Sequence, residues 1–246
     1  MDRSLFIAMS GAKQTLLAQA SNANNLANTQ TTGFKSDFEQ FRSMPVFGPG
    51  FPTRVYAMTE RPGSDLSSGS LQTTGNELDI AIKGEGWLAV QDGNGKEAYT
   101  RSGDLQITPE GQLLTGNGLP VFGEDGPIAI PPAEKISIGS DGTISIIPLG
   151  GNETTLAVID RIKVVKPELK NLEKLNDGLM HTKDGVELEA SADVSLIQGV
   201  LEGSNVNAVS SLVEMIELAR NFELQVKVMK TADDNSGVSA KLMTMA

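Results

Sequence analysis

The sequence predicts a mainly β protein with terminal α-helices, in which an all-β middle domain is inserted between N- and C-terminal helices that pair as a coiled-coil domain. Three observations predict this fold class. Apolar residues recur at helical spacing at both ends of the 246-residue chain. Between them, short β-branched runs alternate with turn residues. The 26 glycines and 11 prolines, against 4% aromatic residues, favour many turns and an aliphatic core.

The first predicted element is a helix over residues 4–28, which has no proline and one glycine, Gly11. Its apolar and small residues recur at steps of three or four. This N-terminal seam consists of Leu5, Met9, Ala12, Leu16, Ala20, Ala23 and Ala27. Because alanine offers little apolar area, we expect the helix to be marginal on its own.

An extended connector is predicted for residues 31–75, since its prolines and glycines cannot join the interior of a sheet. A β-rich outer domain follows over residues 76–190. Its predicted strands are residues 78–82, 86–90, 97–100, 104–107, 112–115, 136–138, 143–147 and 159–165. Turn sequences such as Ser140-Asp141-Gly142 separate these runs and indicate antiparallel hairpins.

A return connector over residues 191–204 leads to a second helix, predicted from about Asn207 to Ala232. Asn205 or Asn207 can cap its start, and residues 233–237 form a weak point. The C-terminal seam consists of Val209, Leu212, Ile216, Ala219, Phe222, Val226 and Met229. Residues 1–30 and 205–246 are therefore predicted to form the terminal helical domain. Packing of the helices on each other or on other chains remains open at this point.

Charge and composition exclude several classes of function. The net charge of -11 argues against binding nucleic acid. The absence of cysteine and the single histidine, His181, exclude thiol catalysis, disulfides and most histidine-built metal sites. No apolar run reaches the ~18–20 residues that span a bilayer. The start of the chain lacks the basic and apolar regions of a cleaved signal peptide.

The motifs that could indicate catalysis or ligand binding are better explained as turns and ordinary structural residues. Gly84-Glu85-Gly86 lacks the third glycine and the following helix of a dinucleotide-binding fingerprint. The Asp-Gly pairs lack the ladder of an EF-hand loop, and His181, near Asp184, is expected to be an ordinary satisfied or exposed histidine. We predict no catalytic residue, metal ligand or cofactor. A secreted glycan-binding or carbohydrate-active β protein remains the alternative, because a catalytic carboxylate pair is defined by separation in space.

Four motifs together resemble one known family. SNANNLANTQTTGFK at residues 21–35 resembles the N-terminal signature of the flagellar basal-body rod and hook proteins. The segments LDIAIKGEGWL at residues 78–88, YTRSGDL at 99–105 and GVLEGSNVN at 199–207 are similar to further family motifs in the same order. The signature residues are Asn24, Asn25, Leu26, Ala27, Asn28, Thr29, Gly33, Phe34, Lys35, Ser204, Asn205, Val206 and Asn207.

The resemblance implies a non-enzymatic axial protein, with inner coiled-coil helices and an outward β domain. Its implied partners are itself, other proximal-rod proteins, the distal-rod protein and the type III export apparatus. It would lie in the rod within the periplasmic space, exported without a cleaved signal. Within the family, the opening, the Gly86-Trp87-Leu88 variant and the length favour the proximal-rod branch over the distal-rod branch.

The signature also has a physical interpretation as a helix exit. Asn28 and Gly33 are expected to adopt left-handed geometry where the helix stops. Neighbouring Asn and Thr side chains can satisfy the freed backbone groups, and Phe34 is expected to anchor the extended segment that follows.

Overall fold

The computed structural model describes residues 4–45, 47, 55–150, 156–175 and 177–244. Cα packing divides the chain into two units. The helical unit combines Met1–Asn28, Asp37–Gly63 and Val206–Ala246. The sheet unit combines Thr29–Ser36 and Ser64–Asn205.

The described residues form α-helices at both ends and strands between them, as the fold class predicts. The helices are α1 (Ser4–Ala27) and α2 (Ala208–Thr244), and a 3₁₀ turn covers Leu169–Asn171. The first strands are β1 (Asp37–Pro45), β2 (Val55–Ser64), β3 (Leu71–Thr73), β4 (Ile80–Lys83), β5 (Trp87–Gln91), β6 (Glu97–Thr100), β7 (Leu105–Ile107) and β8 (Leu113–Thr115). The remaining strands are β9 (Ala133–Ile138), β10 (Thr143–Pro148), β11 (Ala157–Arg161), β12 (Val164–Val165), β13 (Leu172–Lys174), β14 (Met180–Thr182), β15 (Ser195–Gln198) and β16 (Val200–Glu202).

In the helical unit, α1 packs along α2, and β1 pairs with β2 in a two-stranded ribbon. The prediction of an extended connector did not include this pairing. Both ribbon strands are edge strands, where proline is tolerated because an edge N–H need not join a ladder. Pro45 and Pro62 accordingly lie within the ribbon strands, whereas Pro49 and Pro52 fall outside the described residues.

Helix α2 is longer than the sequence suggested. It runs through the predicted weak point at residues 233–237 and ends at Thr244 rather than near Ala232. The segment contains no proline, and one glycine costs a long helix only about 1 kcal/mol. The Ser239 hydroxyl donates to the Asn235 carbonyl at 2.9 Å within this last part of the helix.

The sheet unit contains a five-stranded sheet in the order β12-β5-β6-β14-β13 and a three-stranded sheet in the order β11-β10-β9. Three strand pairs accompany them: β15-β4, β16-β3 and β7-β8. Within each sheet and each pair, the neighbouring strands are antiparallel, as the hairpin signals predicted. The pairs β15-β4 and β16-β3 use the segment predicted as a return connector.

Alternation along β5 explains how the core forms. Leu88 and Val90 contribute to the large aliphatic cluster, whereas Trp87 and Ala89 belong to a second cluster with Tyr99. Successive side chains of a strand point to opposite faces, so this strand is buried on both sides. A continuous apolar run is the sequence pattern that such a strand requires.

Every predicted strand is present, with one difference at residues 159–165. This run is divided into β11, which pairs with β10, and β12, which pairs with β5. Between them, the Ile162 N–H donates to the Gly142 carbonyl and the Lys163 N–H to the Phe122 carbonyl, both at 2.9 Å. The chain therefore passes from one sheet to the other, and its core-facing positions shift by one residue at the crossing, from Ile159 to Ile162 and Val164.

No described helix combines the length and the low charge that crossing a bilayer requires.

Candidate functional site

The face of α1 that packs inward is a stripe of small and polar residues. Its buried positions alternate by steps of three and four, the spacing of a heptad repeat. This inner stripe consists of Ala8, Gly11, Thr15, Ala18, Asn22 and Asn25. Small side chains let two helix backbones approach closely, so α1 meets its neighbour with little apolar area.

The facing positions of α2 follow the same spacing. They are Ser211, Met215, Leu218, Phe222, Gln225, Met229 and Ala232, all buried or half-buried. The Asn22 amide donates to the Ser211 carbonyl at 2.7 Å. A Cβ on Gly11 would lie 2.9 Å from Nε2 of Gln225. Glycine at position 11 therefore makes room for a polar side chain of α2.

The predicted seams largely lie elsewhere on the helices. In α1, Ala12 is buried, but Leu16 is 49% exposed. In α2, Ala219, Phe222 and Met229 are half-buried, whereas Ile216 is 55% exposed. The exposed seam residues are Leu5, Met9, Leu16, Ala20, Ala23, Ala27, Val209, Leu212, Ile216 and Val226. Both helices thus present apolar surface that the single chain does not cover.

The signature residue Asn25 fixes the start of the ribbon. Its amide donates to the Asp37 carbonyl at 2.9 Å, and its Oδ1 accepts from the Asp37 N–H at 3.0 Å. The Ser10 hydroxyl donates to the Ala57 carbonyl of β2 at 3.1 Å. The ribbon attached in this way carries further exposed apolar side chains, namely Phe38, Phe41, Met44, Val55 and Met58.

Asn207 caps α2, as predicted. Its Oδ1 accepts from the N–H groups of Val209 and Ser210 at 3.0 and 3.1 Å. These are donors that the first turn of a helix leaves without an internal partner. Asn205, the other predicted cap, belongs to the sheet unit and has a different role there.

The helix exit agrees with the prediction at Gly33 and differs at Asn28. Gly33 has φ +67°, and a Cβ there would lie 2.3 Å from the carbonyl carbon of Arg101. Asn28 does not have a positive φ, because its N–H and its side-chain amide both bond back to the Asn24 carbonyl, at 3.2 and 2.9 Å. The last turn of α1 therefore stays right-handed, and the left-handed residue comes later.

A buried ionic cluster occupies the end of the signature. Lys35 Nζ lies 2.7 Å from Glu202 Oε1, and Arg101 donates to Glu202 Oε2 at 2.8 Å. These three side chains expose 3% or less of their surface. The Gly69 N–H also donates to Glu202 at 2.9 Å, and Lys35 donates to the Ser67 carbonyl at 2.6 Å. One carboxylate thus faces two cations and a backbone donor, which compensates its loss of water.

The cluster shifts the pKa values of its members. Burial alone would raise the pKa of the Glu202 carboxyl, but hydrogen bonds from Lys35 and Gly69 and the charge of Arg101 hold it below its ordinary value. Burial lowers the pKa of Lys35, and the Glu202 hydrogen bond opposes that shift. The short contact and the depressed Glu202 pKa both indicate an ionised carboxylate at neutral pH.

The four motifs meet around this cluster. Arg101 stacks on the Trp87 ring, with its guanidinium carbon 5.3 Å from the ring centroid, and donates to the Gly84 carbonyl at 2.7 Å. The Gly33 N–H donates to the Glu202 carbonyl at 2.7 Å. Trp87 and Gly84 come from residues 78–88, and the other residues come from the remaining three motifs. These parts of the four motifs therefore form one structural junction within the sheet unit.

Two further signature residues complete the junction. Asn205 Oδ1 accepts from the Ser36 N–H at 2.8 Å, while its amide donates to the Asp65 carbonyl at 2.9 Å. Phe34 lies under the Lys174 ammonium, 4.1 Å from the ring centroid, which agrees with its predicted anchoring role. Leu26, Thr29, Ser204 and Val206 also have polar or other specific interactions.

Sequence reasoning missed Glu202 and Arg101 as members of a site. Both lie inside quoted motifs, but neither was singled out. An acidic residue between β-forming and glycine residues, in a chain rich in carboxylates, carries no local sign of burial. The available signal was the basic residue within each of two distant motifs, since buried carboxylates require cationic partners.

Comparison with known proteins identifies the family. A profile described as "Flagellar hook protein FlgE/F/G D1 domain" matches residues 81–146, and one described as "Flagellar basal body rod FlgEFG protein C-terminal" matches residues 197–242. The chain is 42% identical to the flagellar basal-body rod protein FlgF of Escherichia coli and 41% identical to that of Salmonella typhimurium, each covering 100% of both chains.

FlgG of Bacillus subtilis is 32% identical, covering 95% of this chain and 96% of its own. The proximal-rod and distal-rod branches of the sequence analysis correspond to FlgF and FlgG, so the higher identity to FlgF agrees with the predicted branch. Full-length matches at these identities, together with the two profiles, show that the chain belongs to the flagellar basal-body rod protein family.

Proposed function

We propose that the chain is a structural subunit of the bacterial flagellar basal-body rod. It polymerises through its terminal helices into the hollow shaft that transmits torque from motor to hook. The exposed apolar seams of α1 and α2 carry this proposal, because a monomer gains nothing from displaying Leu16 and Ile216 to water. Repeated contacts of one seam with a different surface on the next subunit generate an open helical array.

The two inner stripes support pairing of α1 and α2 as a coiled coil within each subunit. Both follow steps of three and four, and each supplies one side of the helix contact. The exposed residues of the N-terminal and C-terminal seams then remain available for contacts with neighbouring subunits. The chain thus has one helix surface for its own fold and another for assembly.

Location and export follow from the same proposal. The subunit lies in the rod within the periplasmic space, after passage through the flagellar type III apparatus without a cleaved signal. Its neighbours are further copies of itself, other proximal-rod proteins and the distal-rod protein. It has no enzymatic role.

The proximal rod is favoured over the distal rod by the higher identity to the two FlgF relatives than to the FlgG relative. The distal-rod paralogue remains the second candidate on the same fold. A glycan-binding or carbohydrate-active protein is the weaker alternative.

The test replaces an exposed seam residue in a strain that depends on this chain for swimming. Leu16→Asp and Ile216→Asp should abolish swimming in soft agar, because each would place a charge in an intersubunit contact. Both variants should keep the urea-unfolding midpoint of the wild-type monomer, since both side chains are half exposed in the single chain.

Asn221→Asp on α2 is the matched control, because it adds the same charge at an exposed position outside the seam. It should leave swimming intact. Normal swimming of both seam variants would contradict assembly through the terminal helices, and loss of swimming in the control would show that charge alone is responsible.

A further inference from the structure

The only histidine of the chain lies beside two carboxylates that are distant from each other in sequence. Asp92, Asp177 and His181 place one potential ligand atom each within 4.8 Å of one another. Asp184 is the nearest carboxylate to His181 in the sequence, but the fold places Asp177 and Asp92 beside the imidazole, and Asp92 lies too far away along the chain for local spacing to indicate this group.

Three different parts of the sheet unit position these side chains. His181 lies in the middle of β14 and faces Glu173 of β13 in the ladder. Asp177 lies in the turn that precedes β14, and its Oδ1 accepts from the Leu179 N–H at 3.0 Å. Asp92 follows β5 in the hairpin to β6, which pairs with β14. The backbone of two adjacent hairpins therefore fixes the group.

Asp92 is a covered carboxylate without a lysine or arginine partner among the described residues. It exposes 8% of its surface, and within the described part of the chain no lysine or arginine lies at ion-pair distance from it. Its Oδ1 accepts from the N–H groups of Asn94 and Lys96 at 2.8 and 2.7 Å. Oδ2 has only a long contact of 3.5 Å with the Asn94 amide. One carboxylate oxygen is thus available to a cation.

The spacing of the donor atoms suits a small divalent cation. His181 Nε2 lies 3.0 Å from Asp177 Oδ2. Two ligands bound at about 2.1 Å from one ion, and separated by that distance, subtend an angle of about 90° at the ion. Ligands at this bond length can lie at most about 4.2 Å apart, so the upper limit of 4.8 Å requires a contraction of no more than about 0.6 Å. Asp177 is exposed and can rotate to provide it.

From this arrangement we propose that Asp92, Asp177 and His181 form a binding site for Zn²⁺ or a similar divalent transition metal ion. One imidazole nitrogen and two carboxylate oxygens are a donor set that zinc accepts, whereas Ca²⁺ and Mg²⁺ prefer oxygen ligands alone. Three protein ligands leave at least one coordination position for water. A bound ion would fasten the β5–β6 turn to the loop before β14.

Calorimetric titration of the full-length chain with zinc chloride tests the site. We expect one saturable zinc ion per chain and a higher thermal unfolding midpoint of the sheet unit. His181→Gln and Asp177→Asn should each weaken binding at least tenfold and abolish the thermal shift. Asp141→Asn is the control, because Asp141 is likewise a carboxylate in a hairpin turn, where it accepts from the Thr143 hydroxyl at 2.6 Å; it should bind zinc like the wild type.

The two variants preserve local hydrogen bonding. Glutamine at position 181 can still donate to Asp177, and asparagine at 177 keeps the acceptor for the Leu179 N–H. If His181→Gln does not fold, Asp177→Asn alone decides. Unchanged zinc affinity in the folded variants, or no saturable heat up to about 1 mM zinc, would overturn the proposal. Neither result bears on assembly of the rod, because the seam variants do not touch this site.

Discussion

The Lys35 ammonium lies 2.7 Å from the Glu202 carboxylate, although 167 residues separate them in the chain. Nearly the whole sheet unit is contained between these two residues. Arg101, from the middle of that span, shares the same carboxylate. The contact therefore closes the sheet unit at its two ends, and it cannot form until both ends of the unit are present.

Removing the Glu202 charge should destabilise the sheet unit strongly. Glu202→Gln leaves Lys35 and Arg101 buried without an anion, which costs about 3–5 kcal/mol. Urea unfolding followed by the fluorescence of Trp87, the single tryptophan, measures the loss. Glu77→Gln is the control, since Glu77 pairs with Lys135 at 3.7 Å on the surface and should change stability by less than about 1 kcal/mol. Equal effects of the two substitutions would contradict a central role for the cluster.

The same carboxylate should make stability fall in acid. Its pKa in the folded chain lies below the ordinary value of 4.5, so the unfolded chain binds more protons as the pH falls below that value. The stabilisation is complete above the unfolded pKa and is lost as the pH falls through the folded pKa. Urea midpoints of the wild type should therefore decline more steeply than those of Glu202→Gln as the pH falls below about 5. Parallel profiles would count against this assignment.

Gly33→Ala tests the close approach of the Gly33 backbone to the Arg101 backbone. An alanine Cβ would lie 2.3 Å from a backbone carbon, and the residue has φ +67°. Gly118→Ala is the control, because Gly118 has φ +79° and no atom within 4 Å of a Cβ. The control should lose only the about 1–2 kcal/mol of left-handed backbone strain. We expect a clearly larger loss at position 33 by urea unfolding, and equal losses would argue against the steric contact.

The close approach of α1 and α2 at Gly11 can be tested by size. Gly11→Leu should lower the thermal midpoint of the helical circular dichroism signal, because leucine cannot fit against Gln225 and overpacking costs about 1–3 kcal/mol. Gly11→Ala should be tolerated, since the flexible Gln225 side chain can move. Lys13→Leu, at an exposed position two residues away, should leave the midpoint unchanged; a similar drop there would point to a general effect of leucine.

Periodicity and turn residues were sufficient to predict the two helices, strands β4 to β12 and the Asn207 cap, because these features depend on local sequence. They did not indicate β3, β13, β14, β15 or β16. They failed where long-range contacts decide. The inner stripe of α1 contains Thr15 and Asn22, whose polar side chains do not predict burial but are covered when α2 packs on α1. The β1–β2 ribbon follows from pairing across a segment rich in proline, and it is attached through Asn25. Burial of Glu202 depends on Lys35 and Arg101, which come from distant parts of the chain and which local sequence around Glu202 does not indicate.

Small residues on the inner stripe have a consequence for the isolated subunit. The small side chains of Ala8, Gly11 and Ala18 bury little apolar area against α2, so the α1 side of the helix pair contributes little to its stability. From Asp233 to Thr244, every residue of α2 is exposed. We therefore expect the helical unit to gain stability from binding neighbouring subunits. Its thermal midpoint should rise with protein concentration, while that of the sheet unit stays constant.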